Sequence, residues 1–465
     1  MELISHRLRY AGRFGDKRLA ARAEKISFSL LASRVSSIRS ATSNESEQRG
    51  FYRFINNEKV TEKELIKAHQ QQCQSLSSAR NLLVIQDTTQ IDLSSHQNRL
   101  KENSGYGPIG NHGGVGFFLH GCLVIDADRL TLIGISSLQL WHRKATIGNI
   151  AARKKAYRLL SIEDKESGKW IRGAWQSKEC LNAANQITII EDREGDIYEQ
   201  FIRIPDERTH LIIRSRENRK LNTGEKLFDV LKQTPLAGIF ELKITKDLRK
   251  DRAARVAKME VRYKTVEIQR PSLFKKDKTL PPSMSLSAIE VMEITPGVAA
   301  PVIWRLLTTC PINSYDEALW AIHQYKQRWL IEQFFRVMKK KGFRIEDSEL
   351  ETAWAVRKLT VLVINAVLRV MQMLLAYDNE NAQHIDEVYE KKEQQCLELL
   401  NKKMETDTLK NPYSQQSLTW ATWIIARLGG WKGRKSQGLP GPIVMKNGLD
   451  KFTLIYQGWL LALSP

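Results

Sequence analysis

Two apolar runs stand out along the chain. Leu82-Leu83-Val84-Ile85 stops at Gln86-Asp87, and Ile187-Thr188-Ile189-Ile190 stops at Glu191-Asp192. Short runs of this kind, rich in β-branched residues, predict strands buried on both faces. Residues 121–125 and 130–135 predict two more strands, joined by the polar turn Asp126-Ala127-Asp128-Arg129. Residues 163–184 have helical spacing, a helix starts near Gly195, and 210–214 is another strand. Upstream, residues 1–70 read as helical and basic. One helix opens at 18–22, and an aromatic anchor at 51–55 precedes a turn at Asn56-Asn57. Thr61 and Glu64 then have the spacing of a capping box. Downstream, 218–315 carries β-rich, basic segments such as 239–245 and 259–269. Between them lies a basic run at 246–255, and after them a Lys- and Pro-containing loop at 275–282. A long helix is predicted from about Tyr315 to Lys341, and helices follow to the end. The most apolar stretch, 359–377, carries Asn365, Arg369 and Gln372 on one helical face. It predicts a core helix rather than a membrane span.

The order is strand, hairpin pair, helix, strand, helix, strand. It predicts an α/β fold of ribonuclease-H-like (retroviral-integrase-like) type, with acidic residues at the ends of its first and fourth strands. Strand ends are where such sheets place ligands. The expected organisation is a helical N-terminal domain at 1–70, the α/β core at 71–375 with a β-rich insertion at about 218–315, and a helical C-terminal domain at 376–465.

Charge narrows the class. There are 72 Lys and Arg against 52 Asp and Glu, a net of +20. An excess of that size is relieved by a polyanion, and nucleic acid is the first candidate. The five cysteines are scattered with no CxxC pair. That speaks against a zinc ribbon or a disulfide framework and suits a reducing cytoplasm. The Gly-rich segment 104–116 lacks the GxxxxGK of a nucleotide loop, and the sequence leaves its role open.

Candidate chemistry comes from three acids. Asp87 and Asp192 each end an apolar strand, where an unpaired carboxylate is costly. Two aspartates on neighbouring strands repel each other, and a hard divalent cation removes the conflict. Oxygen-only ligation suits Mg2+ or Mn2+. In the segment 325–339, Tyr325, Arg328, Glu332 and Lys339 fall within roughly a 60° sector of an ideal helix. Trp329, Ile331, Phe335 and Met338 are expected to pack around that face. The plainer reading of the helix is an Arg328–Glu332 surface ion pair. The plainer reading of Asp192 is a helix cap.

These motifs resemble those of the DDE transposases of the insertion-sequence-four family. The family signature Tyr-x2-Arg-x3-Glu-x6-Lys is matched by Tyr325, Arg328, Glu332 and Lys339. The aspartate motifs are matched at 85–89 and 191–197, and further similar stretches lie at 52–55, 166–170 and 425–430. The resemblance implies a cut-and-paste DNA transposase in which Asp87, Asp192 and Glu332 hold two Mg2+ ions, Mn2+ substituting. It implies double-stranded DNA partners, transposon ends and target, and a homodimer in the synaptic complex. It places the enzyme in the bacterial cytoplasm, acting on the nucleoid, with no membrane partner. Trp304 matches the pocket that receives a flipped base, and Tyr325, Arg328 and Lys339 match residues that hold the adjoining phosphate. Arg214 matches a further DNA contact, and Arg22 and Arg53 match contacts to transposon-end DNA. The competing expectations are a catalytically silent DNA-binding repressor and a ribonuclease-H-like nuclease that cuts without joining.

Overall fold

The computed structural model describes residues 8–31, 36–110, 113–144, 157, 160–244, 252–274, 277–339, 342–378, 383–434 and 437–463. Most of the basic run at 246–255, Lys275-Lys276 of the next loop, residues 1–7 and 340–341, and part of the Gly-rich segment lie outside them.

Three helices come first: α1 (Lys17–Leu31), α2 (Glu45–Ile55) and α3 (Glu62–Ser75). Asn44 caps α2 through Glu47 N at 2.9 Å, and Thr61 caps α3 through Glu64 N at 3.2 Å. Only the Thr61 half of the expected box forms. The Glu64 carboxylate turns instead to Lys67 and Arg13.

One ten-stranded sheet follows. Its strands are β1 (Asn81–Asp92), β2 (Gly107–Ile109), β3 (Gly114–Asp126), β4 (Leu132–Trp141), β5 (Gln186–Glu191), β6 (Thr209–Arg214), β7 (Gly238–Ile244), β8 (Arg255–Gln269), β9 (Ser283–Glu293) and β10 (Ile303–Thr308). The spatial order is β2-β3-β1-β5-β6-β10-β9-β8-β7, with β4 also on β3. β3 runs antiparallel to β1, whereas β1, β5 and β6 are mutually parallel. The segment 218–315 therefore does not build a sheet of its own. β10 pairs antiparallel with the outer edge of β6, Leu306 opposite Arg214, and β9, β8 and β7 continue the same sheet.

The remaining helices are α4 (Gly168–Cys180), α5 (Tyr198–Arg203), α6 (Leu227–Gln233), α7 (Tyr315–Lys326), α8 (Trp329–Met338), α9 (Ala353–Asp378), α10 (Lys391–Met404), α11 (Leu418–Leu428) and α12 (Pro442–Leu463). The two sheet faces are covered by different helices. A methyl group built on Gly121 of β3 would touch Phe335 of α8, and one on Gly173 of α4 would meet Gln86 of β1. Successive strand residues face opposite sides, so Asp87, opposite Gly121, faces α8, while Gln86 faces α4.

α9 is the central helix. It is apolar and long enough to cross a membrane, but 78% of its most apolar window is buried, as the polar face within it led us to expect. The N-terminal helices dock on it. Lys358 Nζ donates to Ile55 O and Asn57 O at 3.0 Å each, Arg357 pairs with Glu62 at 2.7 Å, and His69 Nε2 lies 3.0 Å from Val361 O. The Gly-rich segment has a structural task here. Ser104 accepts the free N–H groups of Ala353 and Trp354 at the start of α9. Gly105, at φ +99°, lies against the Trp354 ring, where any side chain would collide. The five cysteines are buried and unbridged.

Candidate active site

The strand register brings the two aspartates side by side. The β1–β5 ladder ends at Ile85 opposite Ile190, so Asp87 and Asp192 occupy matching positions just beyond it. Neighbouring strands are about 4.8 Å apart. Asp87 is not at a strand end, as its apolar run suggested. β1 continues to Asp92, paired throughout with β3, and only its β5 edge opens at Asp87. The β-branched Thr88 and Thr89 suit that extension. Asp192 closes β5 and caps the short turn Arg193–Gly195, accepting Glu194 N at 2.9 Å. The cap reading of Asp192 thus holds for its Oδ1.

Glu332 comes from α8. The expected single helix is broken at Gln327-Arg328. The N–H groups of Gln327, Arg328 and Leu330 bond three residues back, to Gln324, Tyr325 and Gln327, which tightens the turn. Two consequences differ from the sequence expectation. Tyr325 is buried, 4% exposed, with its ring edge-on to Trp304 at 5.7 Å between centroids. Trp329, expected to pack inward, is 44% exposed, with Arg336 over its ring. Arg328 points between two of the three acids, donating to Glu332 Oε1 and standing 3.8 Å from Asp87 Oδ2.

Electrostatics mark Asp87. Burial pushes its carboxyl up to about 7. The Thr88 N–H and Arg328 oppose that rise, while Asp192 and Glu332 add to it. Among the described residues, no three His, Cys, Asp or Glu side chains stand close enough together to form a complete ion site. The donor set nevertheless suits a hard divalent cation. It is all oxygen, Asp192 and Glu332 each raise the Asp87 carboxyl, and the Arg328 guanidinium contacts both Asp87 and Glu332.

The flanking residues divide into three groups. Arg214, at the end of β6, donates to Ile303 O at 2.9 Å beside Trp304, and burial lowers its pKa. It belongs with Trp304, Tyr325 and Arg328. Lys339 lies farther along β1, donating to Gln90 O at 2.6 Å and pairing with the buried Glu346 at 3.1 Å. Arg22 and Arg53 stand apart on α1 and α2. The Arg22 guanidinium covers Gly50, and Arg53 is exposed.

Three buried features escaped the sequence reading. Glu191 is fully buried, bonded to Gln200, and burial pushes its carboxyl well above the usual range. Asp196 is consumed by Arg219 and by the N–H groups of Arg216 and Glu217. His120 bridges Thr88 Oγ1 and Gln86 Oε1 at 2.9 Å each behind Asp87. The motif Glu191-Asp192-Arg193-Glu194-Gly195-Asp196 signalled acids but not which of them faces outward.

Two family models match parts of the chain. Residues 10–60 match the transposase DNA-binding family, and residues 171–368 match the transposase DDE domain. The first match spans Arg22 and Arg53. The second spans Asp192, Arg214, Trp304 and the helix pair carrying Glu332, and begins downstream of Asp87. The solved piggyBac transposase synaptic complex with hairpin DNA aligns over 77% of this chain and 71% of its own. At 10% identity and a TM-score of 0.34 it is too distant to assign any residue. DDE domains are ribonuclease-H-like and generally use divalent metal ions. Two regions of the chain, 10–60 and 171–368, are thus similar to the DNA-binding and DDE domains of transposases.

Proposed function

We propose that this protein is a DNA transposase that works by cut and paste. Water nicks one strand at the transposon end. The freed 3′-hydroxyl attacks the opposite strand to leave a hairpin, water reopens it, and the 3′-hydroxyl then attacks target DNA. The observation that carries the reading is the convergence of Asp87 and Glu332 on Arg328, beside Asp192 and the Trp304–Tyr325 pair. Asp87, Asp192 and Glu332 would hold two Mg2+ ions, or Mn2+, which when bound stabilise charge on the attacking and leaving oxygens. Arg328 and Lys339 position phosphate oxygens, since both are held by neighbouring acids and aimed rather than free to wander. Trp304 offers a ring face for a base taken out of the stack, and Arg214 braces the strand that presents it. Arg22 and Arg53 serve the transposon end from the N-terminal helices, in a domain bounded near residue 70. The helical region after about 375 supports a homodimer in the synaptic complex, and the enzyme acts on the bacterial nucleoid.

The hairpin step has its own test. In Trp304→Ala, end nicking is expected to persist while hairpin formation falls roughly ten- to a hundredfold, the value of one lost base–aromatic stack. Gel analysis of end-labelled DNA separates the two products. Equal loss of nick and hairpin would remove Trp304 from the base pocket.

A further inference from the structure

Lys169 is a charged residue that the proposed site does not use. It lies in the first turn of α4, only 7% exposed, between the rings of Trp141 and Trp170, each 5.7 Å from its ammonium. Among the described residues the ammonium makes no hydrogen bond. Its one carboxylate neighbour, Glu194 at 3.6 Å, is itself 68% exposed. An ammonium with three donors in so enclosed a place is weakly satisfied by these contacts, at some cost. The aromatic faces offset part of that cost and leave the donors unspent.

Its place gives the charge a purpose. Glu194 is two residues from Asp192, in the same short turn. Trp141 ends β4, opposite Phe118 of β3, at the sheet end where β1 runs from Asp87 to Asp92. α4 covers the sheet face opposite α8. Arg328 and Lys339 approach the strand ends from the α8 side, and Lys169 approaches from the other.

Resting on the transposase reading above, we propose that Lys169 binds a phosphodiester oxygen of the DNA strand crossing the strand ends. The strand is thereby gripped from both faces of the sheet. The ammonium exchanges its loose contact with Glu194 for the phosphate, and Glu194 turns to solvent. Contacts of this kind position DNA without reading its sequence.

The test is equilibrium binding of a short random-sequence duplex across a salt series, with wild type, Lys169→Gln, Lys169→Arg and Glu194→Gln. Lys169→Gln should weaken binding roughly three- to tenfold at low salt and flatten the log–log salt slope by about 0.9, one phosphate contact. Lys169→Arg should restore most of both. Glu194→Gln, which removes the competing carboxylate, should tighten binding, and it reports even if Lys169→Gln folds poorly. An unchanged slope and affinity in Lys169→Gln, or binding by Glu194→Gln no tighter than wild type, would overturn the proposal alone. Wild type that binds no DNA at any salt would overturn the transposase reading with it.

Discussion

Asp87→Asn is expected to abolish cleavage of transposon-end DNA, by at least about a thousandfold, while making the metal-free protein more stable. The two effects share one cause. The Asp87 side chain is 23% exposed. It is crowded by Asp192 and Glu332, and burial is the largest influence raising its carboxyl to about 7, against an ordinary 3.8. The unfolded chain releases this proton at lower pH than the folded one. Metal-free wild type should therefore lose stability as pH rises from about 4 to about 7 and lose no more from this group beyond. With partial solvent access, the loss is on the order of 2 kcal/mol. Asparagine keeps the shape and removes the charge, so that slope should shrink and the melting temperature at neutral pH should rise. Added Mg2+ should stabilise wild type, because a ligand that binds only the folded state shifts the equilibrium. It should stabilise the variant far less. Thermal melts across pH, with and without Mg2+, check both halves. A variant less stable than wild type at pH 8 without metal would show that the carboxylate is structural.

Asp192 and Asp196 should part company when each is changed to alanine. The Asp196 side chain is without solvent exposure. It accepts from Arg216 N at 2.8 Å, Glu217 N at 3.2 Å and Arg219 Nε at 3.0 Å. Arg219 is 8% exposed, so deleting its partner strands a buried guanidinium. That costs about 3–5 kcal/mol, a large part of the roughly 5–15 kcal/mol a domain possesses. Asp192 accepts one N–H at the start of a three-residue turn, and losing such a cap costs about 1 kcal/mol. Asp196→Ala should therefore shift the denaturation midpoint strongly. Asp192→Ala should stay folded and lose cleavage. Denaturant titration with a cleavage assay distinguishes them, and the reverse pattern would move the metal-binding role to Asp196.

What could be read in advance was what local pattern determines. The apolar runs at 82–85 and 187–190 located two adjacent parallel strands, and the spacing of Asn365, Arg369 and Gln372 marked a buried helix. Features set by a distant partner were not legible. β1 outlasts its apolar run because β3 pairs it as far as Asp92. The strands of 218–315 extend the main sheet because β6 offers an open edge to β10. In the site, Asp192 was legible as a strand-end acid and Glu332 as a helix-face acid, whereas Asp87 lies within β1 and Arg328 in the turn between α7 and α8. Ideal helical phase failed for Trp329, however, because the turn at Gln327-Arg328 tightens and α7 and α8 are separate helices. Glu191 and Asp196 show the same limit. Adjacent acids look alike in sequence, and only the alternation of a formed strand or a buried arginine tells them apart.

On this reading Glu332 completes a metal-dependent cleavage site with Asp87 and Asp192. The direct measurement is cleavage of linear DNA carrying the element's own ends, in Mg2+, by wild type and Glu332→Ala. Wild type is expected to give metal-dependent nicks and hairpins at the ends, and the variant to bind the ends without cleaving them. Cleavage by Glu332→Ala at the wild-type rate would contradict that reading, leaving the Arg328–Glu332 pair as an ordinary helix ion pair.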